Sequence, residues 1–316
     1  MTLGERLEGV LSRMLEWRKA AGYAFETHRD QLSPFVKYVG GRWPDEPLVT
    51  AGMVDGWLAD CDYSPNSQLV FISCLRVFAR FSNFEGWADF VPGREYSVRR
   101  EAYYPHLFTE EQLTALFLAV DSYEAGCAGG RALAPDLVLP VWTRLLYCCG
   151  MRPGEPPRLR RADVDLGTGD VFIRQSKRHK DRHIIMSSDM AGLCARYDAL
   201  CERGRTWFFE RRDGKPYDTS WYDRAWRRIL SRADVDWGDP APRPYDLRHQ
   251  FASANLVRWM DVGGDAAGLL PALSSYMGHS KLESTLYYVH LLPERLRTSS
   301  RVNWDALGEV YGGDGK

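Results

Sequence analysis

The chain has 316 residues, of which 45% are hydrophobic and 26% are charged. This composition is that of a globular protein and excludes long disordered or collagen-like stretches, while the length favours two domains. The formal net charge of −1 excludes a uniformly basic protein, so a surface for a polyanion would have to come from local clusters of Lys and Arg.

Neither export nor membrane insertion is indicated. No run approaches the ~20 apolar residues that cross a bilayer, and the N-terminus shows no export signal. The seven cysteines are odd in number and show no Cys-x-x-Cys spacing. We therefore expect free thiols, no metal, and a cytoplasmic protein.

The first part of the chain has the hydrophobic spacing of helices, most clearly over residues 3–20 and 65–84. After Trp87 the sequence loses this period and contains Pro, Gly and three arginines. We predict a helical domain over residues 1–95 and a basic linker over 96–107.

A second domain is predicted from residue 108 onward. Thr109 and Gln112 form a capping-box pattern, and the apolar run 136–149 predicts a buried helix that ends at Gly150. Pro153 suits the first turn of a following helix. The segments VFIRQ and HIIMS, separated by SKRHKDR, predict a small antiparallel hairpin. Further helices are expected from Thr219 or Ser220 and over 246–260, 268–277 and 282–290. The expected fold class is mainly α with a small antiparallel β-sheet.

Three separated segments hold the chemically informative residues: GMRPGE at 150–155, YDLRHQFA at 245–252 and MGHSKLESTLYYVH at 277–290. With SKRHKDR between the first two, they resemble the tyrosine recombinase (phage integrase) family over residues 107–292. The resemblance implies a helical core-binding domain (1–95) and a catalytic domain (108–292) that close around DNA as a clamp.

The resemblance also assigns roles by position. It implies that Arg152 and Arg248 grip the scissile phosphate, that Lys177 is the hairpin lysine, that His279 stands at the second histidine position and that Tyr288 is the nucleophile. Glu155 stands where the family carries an acidic residue, three positions after Arg152.

Elementary chemistry explains these residue types. Two guanidinium groups can hold the non-bridging oxygens of a phosphorane-like transition state in fixed geometry. A tyrosine nucleophile conserves bond energy in a protein–DNA ester, so no cofactor or metal is expected. Lys177 can protonate the leaving 5′-oxygen, with Lys180 as the alternative.

Tyr245 departs from the family pattern, because it stands three positions before Arg248, where the family usually carries the histidine of a His-x-x-Arg motif. A phenol with a pKa near ~10 is a poor general base at neutral pH, so we expect Tyr245 to donate a hydrogen bond instead. Further DNA contacts are expected from basic residues of the linker and the hairpin, namely Arg94, Arg99, Arg100, Arg178 and Lys180.

The resemblance implies a site-specific recombinase that acts on double-stranded DNA at the nucleoid, as a tetramer and through a 3′-phosphotyrosine. Integration, excision or transposition of a mobile element is the expected task, and the tail 293–316 is expected to dock on a neighbouring protomer. Two alternatives remain open: a type IB topoisomerase-like enzyme that relaxes DNA, and an inactive DNA-binding regulator of the same fold.

Overall fold

The computed structural model describes residues 1–101, 103–123, 135–174, 181–262, 266–279, 285–286 and 288. The chain forms two compact units, Met1–Tyr104 and Pro105–Lys316. The division falls within the stretch 96–107.

The first unit is helical. Its elements are α1 (Leu3–Ala20), α2 (Glu26–Arg42), α3 (Ala51–Asp60), α4 (Pro65–Phe84) and a 3₁₀ turn at Arg94–Tyr96. Thr2 and Glu5 cap α1 reciprocally, and the hydroxyl of Ser64 caps α4. The helices predicted over 3–20 and 65–84 are confirmed.

Buried residues of all four helices form the core of the first unit, among them Leu7, Val10, Met14, Phe35, Val39, Val54, Phe71, Ile72 and Phe78. A buried ion pair joins the start of this unit to its end. Arg6 donates to both carboxylate oxygens of Asp89 at 2.9 and 2.7 Å, and Asp89 also accepts from Ser82 and from the backbone of Val49. These bonds satisfy a charge that would otherwise be costly to bury.

The second unit is mixed. Its elements are α5 (Glu110–Asp121), α6 (Pro135–Cys149), 3₁₀ turns at Pro156–Arg158 and Arg161–Asp163, β1 (Asp170–Ile173), β2 (Arg182–Ile185), α7 (Ser188–Ala199), α8 (Thr219–Arg232), α9 (Pro244–Asp261) and α10 (Ala266–Met277). The strands pair antiparallel, with Asp170 opposite Ile185 and Ile173 opposite Arg182. The predicted fold class, mainly α with a small antiparallel sheet, is confirmed.

Helix α6 lies at the centre of the second unit and packs against α5, α7 and α9. Trp142 of α6 is fully buried, and its ring stacks on Tyr222 of α8 at 4.8 Å. Thr143 and Tyr222 also share a hydrogen bond of 2.9 Å. Because α6 is anchored on several sides, its C-terminal end is held in a fixed position.

Two local predictions are wrong. Residues 151–155 form a turn followed by the 3₁₀ turn at Pro156–Arg158, where a further helix was predicted. Pro156 and Pro157 lack the backbone N–H that a continuing α-helix needs. At α8 the capping residue is Asp218, whose carboxylate accepts from the N–H of Trp221 at 2.7 Å, in place of Thr219 or Ser220. The helix predicted over 282–290 lies largely outside the described residues.

Among the described residues, no helix is both long and apolar enough to cross a membrane. The six cysteines in this part of the chain, Cys61, Cys74, Cys148, Cys149, Cys194 and Cys201, are free thiols.

Candidate active site

The site begins where α6 ends, at Gly150. The φ of Gly150 is +59°, and a Cβ at this position would lie 2.5 Å from the ring of Phe251. Only glycine fits both the left-handed backbone and this close approach. The turn that follows carries Arg152 and Glu155, with the N–H of Glu155 donating to the carbonyl of Arg152 at 2.8 Å.

Arg248 lies in the second turn of α9 and is fully buried. Its guanidinium donates to the backbone carbonyls of Gly150 and Met277 through short hydrogen bonds. Burial, and then the nearby charge of Arg152, lower the pKa of Arg248 from its usual value. A buried cation is thus held mainly by backbone dipoles at the ends of α6 and α10.

The C-terminal end of α10 receives two further arginines. Arg152 donates from Nη2 to the carbonyls of Met277 and Gly278 at 3.1 and 2.7 Å, and Arg182 of β2 donates to the carbonyl of Tyr276 at 3.1 Å. The last carbonyls of a helix have no partner within the helix and carry its negative dipole end, so they attract cations. Three guanidinium groups therefore converge on one helix end.

Gly278 makes this convergence possible. Its φ is +64°, and a Cβ there would lie 3.0 Å from the Arg182 side chain and 3.5 Å from Nη1 of Arg152. The N–H groups of Gly278 and His279 bond back to the carbonyls of Ser275 and Ser274, both at 2.9 Å. The helix thus ends in a turn that aims its later carbonyls at the arginines.

Glu155 joins two of the arginines. Its carboxylate accepts from Arg182 at 2.6 and 2.7 Å, from Nη1 of Arg152 at 3.0 Å and from the backbone N–H of Arg152 at 2.8 Å. Burial alone would raise the pKa of Glu155, but Arg182, the Arg152 backbone and Arg248 lower it to about 2. Glu155 is therefore a permanent anion between cations.

His279 follows the end of α10 and stands between Arg248 and Tyr288. Its Nδ1 lies 2.7 Å from the hydroxyl of Thr285, and its Nε2 lies 3.3 Å from Nη2 of Arg248. Since a guanidinium can only donate, we assign Nε2 as the acceptor and place the proton on Nδ1. Burial, and then the charge of Arg248, lower the pKa of His279 to about 3.

Tyr288 is 2% exposed and lies against two histidines. Its ring centroid is 5.8 Å from that of His279 and 5.4 Å from that of His249. Burial raises the pKa of the Tyr288 phenol to about 12, although the charge of Arg248 opposes the rise. The phenol is therefore protonated at neutral pH without substrate.

The structure brings together five residues that the sequence singled out: Arg152, Glu155, Arg248, His279 and Tyr288. Tyr245 lies in the first turn of α9, 37% exposed, with its ring 5.0 Å from that of His249. Lys177, Arg178 and Lys180 lie outside the described residues. Arg94, Arg99 and Arg100 are exposed residues of the first unit.

Two residues of this cluster, Arg182 and His249, escaped the sequence reasoning. Arg182 stands two positions before the buried Ile184 in β2. Because side chains two apart on a strand point to the same face, this spacing could have indicated that Arg182 points inward. His249 follows Arg248 directly and stands four positions after Tyr245, which is the spacing of one helical face. Burial and the charge of Arg248 lower the pKa of His249 to about 4.

Within the described part of the chain, no group of three or more His, Cys, Asp or Glu side chains is arranged to hold a metal ion. The cluster instead combines guanidinium donors with a buried phenol. Such an arrangement can hold an anion with delocalised charge next to a nucleophilic oxygen.

Comparisons with known proteins bear on both the site and the fold. The model of the phage integrase family matches residues 107–295. The integrase/recombinase y4rE of Sinorhizobium fredii is 28% identical over 295 residues, which are 91% of this chain and 91% of that protein. The tyrosine recombinase XerD of Pseudomonas putida is 28% identical over 251 residues, 76% of each chain.

Two solved structures share the fold. The Tn1549 transposon integrase, solved with transposon right end DNA, matches with a TM-score of 0.61 and 13% identity over 99% of this chain and 100% of that one. A lambda integrase tetramer bound to a Holliday junction matches with a TM-score of 0.57 and 16% identity, over 89% of this chain and 78% of that one.

We predict that His249 and His279 stay neutral from pH 8 to about pH 5 and that acid destabilises the fold. Their folded pKa values, about 4 and about 3, lie below the ordinary 6.5, so the unfolded chain takes up protons first as pH falls. The stability is then complete above pH 6.5 and declines below it, by up to ~1.4 kcal/mol per pH unit for each proton. Histidine ring NMR and urea unfolding measure the two effects.

The variants His249→Gln and His279→Gln allow the two ring signals to be assigned. Each variant should also lose less of its free energy of unfolding than the wild type as the pH falls below 6.5. A ring signal that titrates near pH 6.5 in the folded protein would contradict the burial described for that histidine.

Proposed function

Because the chain belongs to the phage integrase family of tyrosine recombinases, we propose that it is a site-specific recombinase that acts through a 3′-phosphotyrosine on Tyr288. The observation that carries the proposal is the placement of a buried phenol beside two guanidinium groups on one helix end. Tyr288 lies against His279, and His279 lies 3.3 Å from Arg248.

Arg152 and Arg248 would hold the scissile phosphate. In the described structure Arg248 donates to backbone carbonyls, and Arg152 donates both to backbone carbonyls and to the Glu155 carboxylate. A phosphate oxygen would be a stronger acceptor than the neutral carbonyls. The transition state gains negative charge, and it therefore gains more from these donors than the ground state does.

The reaction then proceeds by transfer of the phosphoryl group. The Tyr288 oxygen attacks phosphorus and forms a new P–O bond, while the bond to the 5′-oxygen breaks. Lys177 would protonate that leaving oxygen, with Lys180 as the alternative donor. The phosphotyrosine ester keeps the energy of the broken phosphodiester, so the reverse attack by a 5′-hydroxyl restores the DNA without a cofactor.

The phenol must lose its proton during the attack. The nearby guanidinium groups lower the pKa that burial raises, and the proton would pass to His279 or to water. A bound phosphate would also raise the pKa of His279, because an anion favours the imidazolium form. Tyr245, exposed at the start of α9, would donate a hydrogen bond to the phosphate.

The proposed partner is duplex DNA with specific sites, contacted by Arg94, Arg99, Arg100, Arg178 and Lys180. The lambda integrase that shares this fold was solved as a tetramer on a Holliday junction. We extend that assembly to this chain and place its action at the nucleoid, on the DNA of a mobile element.

The direct test is to capture covalent protein–DNA adducts from cells that express the chain. After denaturing purification, the attached DNA is sequenced and the modified peptide is identified by mass spectrometry. We expect one class of DNA end, joined through a 3′-phosphate to Tyr288, because this buried phenol lies against His279 and is acted on by the charges of Arg248 and Arg152. Tyr288→Phe should form no adduct.

An adduct on Tyr287, or active protein without any adduct, would contradict the proposal. Relaxation of a supercoiled plasmid that lacks the recovered sequence would instead support topoisomerase activity.

A second prediction separates DNA binding from chemistry. Arg248→Lys should retain most DNA affinity but reduce adduct formation by about 100 to 1,000-fold, since lysine keeps the charge and loses the planar set of donors. Binding is measured by fluorescence anisotropy on the recovered site, and cleavage by single-turnover assays. Arg258→Lys, an exposed position on the same helix, is the matched control and should leave both unchanged. Wild-type cleavage by Arg248→Lys would overturn the phosphate-binding role.

A further inference from the structure

Arg182 is a buried cation of the site to which the proposed mechanism gives no role. It lies at the start of β2, and only 7% of its side chain is exposed. Its Nη1 and Nη2 donate to the two oxygens of Glu155 at 2.6 and 2.7 Å, and its Nε donates to the carbonyl of Tyr276 at 3.1 Å. The guanidinium thus joins the strand, the turn after α6 and the end of α10.

The contacts of Arg152 run parallel to those of Arg182. Nη1 of Arg152 donates to Oε1 of Glu155 at 3.0 Å, while Nη2 donates to the carbonyls of Met277 and Gly278. Both arginines therefore share one carboxylate and one helix end. The pair of parallel bonds from Arg182 fixes the plane of that carboxylate, which leaves Arg152 a single side-chain contact with it.

Removal of Arg182 would change the hydrogen bonds between Glu155 and Arg152. Glu155 is 8% exposed, so its carboxylate would lose two bonds in a place where water replaces them poorly. Among the described residues, Arg152 is the other guanidinium bonded to this carboxylate, and a rotation would let it bind both oxygens. That rotation would withdraw Arg152 from the carbonyls of Met277 and Gly278 and set Glu155 in competition with a DNA phosphate.

We propose that Arg182 is a positioning residue, which occupies Glu155 and thereby keeps the Arg152 guanidinium available to the scissile phosphate. The inference rests on the proposed function. It explains how the buried Glu155 carboxylate can lie beside Arg152 without displacing a phosphate from it. Arg182 touches neither the phosphate nor Tyr288 in this account, and it acts through Arg152.

The test compares single-turnover adduct formation by Arg182→Met, Arg152→Lys and the double variant, at saturating DNA. Arg182→Met should slow adduct formation by about 100-fold, the scale of a misplaced contact, with DNA affinity little changed. In the Arg152→Lys background the same substitution should add no more than about a twofold loss, because both changes act on one group. Arg182→Lys, which keeps a cation on Glu155, should recover part of the rate.

Arg205→Met is the matched control. Arg205 has 5% of its side chain exposed, and it binds the carboxylate of Asp198 and the carbonyl of Phe208 in the same unit. If loss of a buried ion pair were the whole effect, Arg205→Met would slow adduct formation as much as Arg182→Met does. That result overturns the proposal. A wild-type rate of adduct formation by Arg182→Met also overturns it, as does a double variant whose loss in rate equals the product of the losses of Arg182→Met and Arg152→Lys.

A crystal structure of Arg182→Met tests the proposal without an activity measurement. The inference predicts that the Arg152 guanidinium turns from Met277 and Gly278 onto both oxygens of Glu155, and an unmoved guanidinium overturns it. Absence of any adduct with the wild-type chain would instead count against the proposed function, so the two failures are distinguishable.

Discussion

The site depends on the convergence of three guanidinium groups on the last carbonyls of α10. Arg152, Arg182 and Arg248 come from a turn, a strand and a helix that lie far apart in sequence, and each donates to a carbonyl between Tyr276 and Gly278. Like charges at such distances repel, and burial adds a desolvation cost. The negative end of the α10 dipole and the Glu155 carboxylate offset the repulsion and the desolvation cost. The three cations can therefore lie close together only because they share this helix end.

The same arrangement explains the electrostatics of the remaining groups. The cations that lower the pKa of Glu155 to about 2 also contribute to the low pKa of His279. Neutral imidazoles and a protonated phenol then surround three guanidinium groups and one carboxylate, which together leave an excess of positive charge. In the proposed function the negative charge of a phosphate diester would offset that excess, and its binding would place an electrophile beside Tyr288.

The sequence predicted the helices whose signals are local, because capping residues such as Thr109 and the apolar period of residues 3–20 need no tertiary information. It also singled out Arg152, Arg248, His279 and Tyr288, because the motifs that contain them, taken together and in order, resemble those of a known family. The turn at 151–155 was mispredicted, because Pro156 and Pro157 outweigh the helix-starting tendency of Pro153. The pairing of Glu155 with Arg182 spans 27 residues, and no spacing rule foresees it.

The most direct test of this account is to shift the arginines without removing any of them. Gly278→Ala adds a methyl group 3.0 Å from Arg182 and 3.5 Å from Arg152 and changes no charge. Gly204→Ala is the control, since Gly204 also has a positive φ, +82°, but nothing within 4 Å of an added Cβ. Both variants place alanine at a positive φ, which costs on the order of 1–2 kcal/mol of backbone strain. The measurement is the rate of covalent adduct formation at saturating DNA. The account predicts a large loss for Gly278→Ala and a near wild-type rate for Gly204→Ala, whereas equal rates for the two would contradict it.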